Sequence, residues 1–201
     1  MYIAIIYLAL ARLCKLFTKD IQIHSIVHCV TAFMFSTCAF IVLGINPFSF
    51  SVYDQFALVD FKIFDVIIYH SLGYFIADTI DILIDYKNVK RRIYLIHHAA
   101  AIIGLFFGGY TAVYPIWILE MGGIVHHMKH TSEVYHFEHD HTIQITYHAV
   151  YLFSRVLLSI NVYNFMNSDN LFITIVITVL LGQNFVWWLH NLKRSIKLSQ
   201  T

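Results

Sequence analysis

The sequence predicts an all-α integral membrane protein of about seven transmembrane helices, six of which form a bundle around a polar central cavity. Three observations carry that expectation. Hydrophobic residues make up 59% of the 201-residue chain and charged residues only 12%, against roughly 25% charged in average soluble domains. Apolar runs close to the ~20 residues that cross a bilayer follow one another along the chain. The polar residues that interrupt these runs recur at helical spacing, so that each run carries a single polar stripe. A mean hydropathy of +0.67 agrees. This composition excludes a disordered chain and an ordinary soluble enzyme. A net charge of +1 leaves no global field to recruit nucleic acid, so no nucleic-acid partner is expected.

The hydrophobic segments are 2–17, 21–44, 62–85, 91–110, 112–128, 142–166 and 171–190. The first is set apart as an N-terminal helix within 1–20, either a short span or an interfacial helix. It is a poor signal peptide, because Arg12 and Lys15 follow its apolar run instead of preceding it. Residues 21–195 form one transmembrane domain and 196–201 a tail. Segments 91–110 and 112–128 nearly abut at Gly108-Gly109-Tyr110-Thr111, which predicts a tight helical hairpin. The longest connections are 45–61 and 129–141. With seven spans, Arg12, Lys15, Lys19, Lys87, Lys90, Arg91, Arg92, Lys129, Lys193, Arg194 and Lys197 fall on one side and Lys62 on the other. The positive-inside rule then places the C-terminus in the cytosol. Cys14, Cys29 and Cys38 lie in apolar stretches without a CxxC pair, so neither a disulfide framework nor a structural zinc site is expected.

Thirteen histidines are unusual for such a chain. In the third segment His70, Tyr74, Asp78, Asp81 and Asp85 share one face. Gln144, His148, Tyr151 and Arg155 do so in the sixth, and Asn184, Trp188 and Asn191 in the seventh. His24, His28 and Thr31 line the second; Glu120, Gly123 and His127 line the fifth; His97-His98 mark the fourth. An ionisable side chain at the bilayer centre costs on the order of 2.5–3.5 kcal/mol on insertion scales. One stripe alone reads as interhelical glue, worth roughly 0.6–2 kcal/mol per hydrogen bond. Three Asp, one Glu, one Arg and several His on facing stripes read instead as a functional cavity. Asp85 ends its helix near Lys87 and is expected in water. Asp78 lies deeper, where an imidazole or Arg155 would hold it ionised.

Gly73-Tyr74-Phe75-Ile76-Ala77-Asp78, then Ile96-His97-His98, then Glu120 resemble the TLC domain, the membrane family that includes the ceramide synthases. Ser25, His28, Arg155 and Asn184 with Trp187-Trp188 extend the resemblance over about residues 21–195. It implies a six-helix core enclosing a lipid-sized cavity, preceded by an extra helix, in the endoplasmic reticulum. It also implies membrane-lipid partners, with acyl-CoA as co-substrate and a sphingoid base as acceptor, and no bound cofactor. His97 and His98 match the paired catalytic histidines; either could be the acyl-accepting nucleophile, and Asp78 would orient the imidazole. His28, His70, Tyr74, Asp81, Glu120, His127, His148, Tyr151, Arg155, Asn184 and Trp188 would line the cavity. The cluster Lys87, Lys90, Arg91 and Arg92 would meet CoA phosphates or simply set topology. The run Ile118-Leu119-Glu120-Met121-Gly122-Gly123-Ile124-Val125-His126-His127 departs from the synthase signature. It is closer to the non-synthase branch, many of whose members are linked to membrane lipid composition without an assigned reaction.

Two other classes remain. His126-His127-Met128-Lys129-His130, followed by His136, His139 and His141, has the flavour of the histidine boxes of di-iron hydroxylases and desaturases. Those boxes are spread over three segments, whereas these are clustered in one, so no metal site is expected. The third class is a lipid binder or membrane-composition regulator without turnover.

Overall fold

The computed structural model describes residues 2–17, 23–49, 52–56, 62–84, 89–135, 141–166 and 171–198. Among them are eight α-helices and no strand: α1 (Tyr2–Phe17), α2 (Ile23–Leu43), the short α3 (Val52–Phe56), α4 (Lys62–Ile84), α5 (Val89–Gly108), α6 (Val113–Val134), α7 (His141–Met166) and α8 (Leu171–Leu198). The runs Ile23–Leu43, Lys62–Ile84 and Tyr94–Val134 are long and apolar enough to cross a membrane. Surface chemistry agrees with a membrane protein. Ile41, Val42, Val66, Phe106, Phe107, Val156 and Val186 are exposed, whereas His24, His28, Asp78, Asp81, His98, Glu120 and Arg155 are buried. A water-soluble fold reverses that distribution.

Local signals explain the boundaries. Gly44 ends α2 in the left-handed region, at φ 66°. The Ile45 amide there donates to the Phe40 carbonyl at 2.8 Å, closing a Schellman-type cap. Between α5 and α6 a single 3-10 turn, Gly109–Ala112, begins with Gly109 at φ 52°. Pro115 follows within the first turn of α6, where its missing N–H costs nothing.

The tight hairpin expected from this junction does not form. α5 and α6 make no close backbone contact. The left-handed glycine and the 3-10 turn redirect the chain, so that α5 packs on α4 and α8 while α6 packs mainly on α2 and α7. The six long helices after α1 thus pack in a closed cyclic order, α2–α4–α5–α8–α7–α6. α4 and α6 touch across it, and α1 packs on α4 and α2. The connection expected over 129–141 is also shorter than the sequence implied, because α6 continues to Val134. α8 likewise runs on to Leu198.

An aromatic core fills the end of the bundle where α2 meets α3, α4 and α6. Phe40, Phe56 and Phe64 pack edge-on, with ring centroids 5.3–6.4 Å apart. Trp117 Nε1 donates to Thr37 Oγ1 at 2.9 Å and the Tyr114 hydroxyl to the Pro47 carbonyl at 2.6 Å. Among the described residues, the buried carboxylates and cations gather instead from mid-bundle toward the opposite end. Asp78, for instance, lies six residues, about 9 Å of helix, before Ile84.

Candidate functional site

The polar interior has two parts. The first is built by α1, α2, α4, α5 and α6 around three carboxylates. Asp78, 4% exposed, accepts from His24 Nε2 at 3.0 Å through Oδ1, while its Oδ2 lies 3.4 Å from His98 Nε2. His98 Nδ1 is 3.4 Å from the Thr79 hydroxyl, so both ring nitrogens of His98 face polar partners. One turn on, Asp81 is fully buried, with Arg12 of α1 at 3.0 Å. Glu120 of α6 accepts from His28 Nε2 at 3.2 Å. The His28 ring stacks on Tyr74 with centroids 3.9 Å apart, and Tyr74 donates to Ser25 at 2.9 Å. His70 Nε2 sits 2.9 Å from the Tyr7 hydroxyl and 2.7 Å from Thr31 Oγ1.

Close approach of two helices makes this part possible. A Cβ on Gly73 would lie 2.6 Å from Ile3 Cγ2 and 3.2 Å from the Ala4 backbone nitrogen, so only glycine lets α1 seat on α4. α1 then delivers both Tyr7 and Arg12 to the interior.

The second part lies where α5, α6, α7 and α8 converge. Arg155, 5% exposed, donates from NH2 to Asn184 Oδ1 at 2.9 Å and from NH1 to Ser154 Oγ at 3.1 Å. Its guanidinium carbon lies 4.2 Å from the Tyr151 ring centroid. Tyr151 also donates to Asn184 Oδ1 at 2.9 Å. The α6 backbone comes close, since a Cβ on Gly122 would lie 2.6 Å from Ser154 Oγ and 3.0 Å from Arg155 NH1. Among the described residues no carboxylate pairs with Arg155, and its Nε is buried without a partner. His97 stands between the two parts. Its ring packs on His98 at 5.8 Å and on Trp187 at 6.0 Å, with Nδ1 buried and unpartnered. Asp78, Glu120 and Arg155 are all within electrostatic range of it. Trp188 packs near His148 at 6.4 Å.

The expected residues therefore divide. Asp78 and His98 lie 3.4 Å apart, with His97 beside them. His28, Tyr74 and Glu120 form one contact group, with His70 stacked at 5.4 Å from His28. Tyr151, Arg155 and Asn184 form another. His127 shares the neighbourhood of Glu120, His24 and Asp78. Arg155 does not pair with Asp78; two imidazoles take that place. His24 is the direct partner of Asp78, and its place on the α2 stripe was the available signal. Arg12, which the sequence assigns to topology, reaches Asp81. Lys129, which it assigns to a loop, is buried in α6, bonded to Glu133 and to Asn191 at 3.3 Å. Its i,i+4 spacing to Glu133 was a legible helix signal.

The histidine-box alternative fares differently. His126 and His130 lie on α6, where His126 packs on Tyr147 and Tyr151 at 6.0 and 6.3 Å. Among the described residues no three His, Cys, Asp or Glu side chains are placed to hold a metal ion. His136, His139, Asp85 and Lys87, and the side chains of Lys90, Arg91, Arg92 and His141, lie outside the described residues. Comparison with known proteins returns no matching family model, curated protein or solved structure.

Proposed function

We propose that this is a seven-span membrane protein, its six-helix ring enclosing a polar centre, that transfers an acyl group from acyl-CoA to the amine of a membrane lipid at the His97–His98 pair. The observation that carries this reading is the unequal state of the two imidazoles. His98 is held between Asp78 and Thr79, whereas His97 keeps a buried ring nitrogen with no partner. A neutral imidazole is nucleophilic near pH 7. His97 attacks the thioester carbonyl, the C–S bond breaks, and the CoA thiolate leaves and takes a proton. The lipid amine then attacks the acyl-imidazole, forming the amide and freeing His97. Asp78 and His98 act as positioning residues, fixing the face that His97 presents. The apolar surroundings of Phe75 and Trp187 limit hydrolysis of the intermediate. The resemblance to the TLC domain supports a sphingoid base as acceptor, the endoplasmic reticulum as location and a cytosolic C-terminus.

The test is purified protein in micelles with a long-chain acyl-CoA and a sphingoid base. Free CoA thiol and N-acyl product are expected in equal amounts, with none from the His97→Ala/His98→Ala variant. Turnover by that variant would defeat the proposal. A second reading, lipid binding without turnover, is favoured by the dense mutual pairing around Asp78 and Glu120. It predicts saturable sphingoid-base binding, with no CoA release, in wild type and variant alike.

A further inference from the structure

Arg155 is a cation enclosed by protein at the middle of α7, and the described residues offer it hydrogen-bond acceptors but no counter-charge. A buried charge normally finds an opposite one, because its desolvation costs several kcal/mol. Two neutral oxygens, from Asn184 and Ser154, engage the NH1 and NH2 groups. The Nε–H, whose direction beside an NH2 hydrogen makes the fork that grips oxyanions, has no acceptor. Two basic groups, His97 and His126, lie within electrostatic range of Arg155, as does the neutral phenol of Tyr147. Lys129, nearby on α6, is already paired with Glu133. Gly122 lets the α6 backbone pack directly on Ser154 and one side of the guanidinium.

We infer that Arg155 holds the phosphate of an anionic ligand, with Nε and one terminal nitrogen on two of its oxygens. A phosphate fits better than a carboxylate because it carries more negative charge and two basic imidazoles, His97 and His126, lie within electrostatic range of Arg155. The phosphate can come from a lipid headgroup or from free phosphate in water. This site goes beyond the acyl-transfer reading and does not require it, since anion binding would persist in a protein that transfers nothing.

The experiment uses the purified full chain in neutral micelles and reads the thermal unfolding midpoint. Dihexanoyl phosphatidic acid, dihexanoyl phosphatidylcholine and sodium phosphate are titrated separately. A saturable rise with phosphatidic acid, absent with phosphatidylcholine, is expected. A rise with phosphatidic acid alone assigns the site to a headgroup, and an equal rise with sodium phosphate assigns it to the free ion. Asn184→Asp places a carboxylate on the guanidinium and is expected to abolish the response. Arg155→Lys keeps the charge but loses the fork, and should weaken binding at least tenfold. It decides the matter if Asn184→Asp does not fold. No saturable response in the wild type, or an undiminished one in the folded variant, overturns the inference.

Discussion

Around Asp78 and Glu120, every buried carboxylate meets an imidazole or a guanidinium, and the rings that surround them stack or hydrogen-bond in turn. Around Arg155, on the neighbouring α7, the same residue types stand in the opposite relation. Arg155 meets the Asn184 amide, the Ser154 hydroxyl and the Tyr151 ring, and among the described residues no acid pairs with it. Polar residues in a membrane bundle can thus do two different jobs that their identity alone does not separate. Where donors and acceptors are matched, they fix helix against helix. Where they are mismatched, the fold carries a cost that a bound group would relieve, and His97 lies on the border between the two.

If this division is correct, stability and function should respond to different substitutions. The largest loss is expected on the matched side. Asp78→Ala removes acceptors from both His24 and His98. Hydrogen bonds to a charged group contribute about 1.5–3 kcal/mol each, so the variant should lose about 3 kcal/mol or more in a denaturing mixed-micelle titration. Gly73→Val comes next. Overpacking against Ile3 and the Ala4 backbone should cost about 1–3 kcal/mol, measured the same way, because α1 must lift from α4. Arg12→Ala is smaller, about 1 kcal/mol, since the Arg12 side chain is itself 40% exposed and its loss admits water to Asp81. On the mismatched side, Arg155→Met should change stability by less than about 1 kcal/mol or raise it, as buried charges replaced by apolar side chains often do. A loss as large as that of Asp78→Ala would erase the distinction between the two parts.

Much of the interior was legible because helical periodicity reports which face a residue occupies. The 4, 4 and 3 steps from His70 through Tyr74 and Asp78 to Asp81 place one stripe inward, and Tyr74, Asp78 and Asp81 are indeed buried. Periodicity does not report which helix stands opposite, or at what rotation. That is why Asp78 was open to Arg155 in the sequence and is met by His24 and His98 in the fold. The same limit explains Arg12, whose position near a helix end served equally for topology and for Asp81. Lys129 was placed in a loop because hydropathy falls after Met128, although no Gly or Pro stops the helix there. The separation of α5 from α6 starts at the left-handed Gly109 and the 3-10 turn after it, but a Gly-Gly pair in sequence does not say which way the chain leaves it.

The most direct measurement compares the lipid profiles of cells that carry wild-type protein and His97→Phe at equal amounts of folded protein. Phenylalanine keeps a planar ring of somewhat larger size, so folding should be kept to within about 1–3 kcal/mol while the imidazole is lost. The account predicts an amide-linked acyl lipid that the wild type raises and that returns, in the variant, to the level of cells lacking the protein. An equal rise in both would contradict it, and His97 would then belong with the matched, purely structural polar groups.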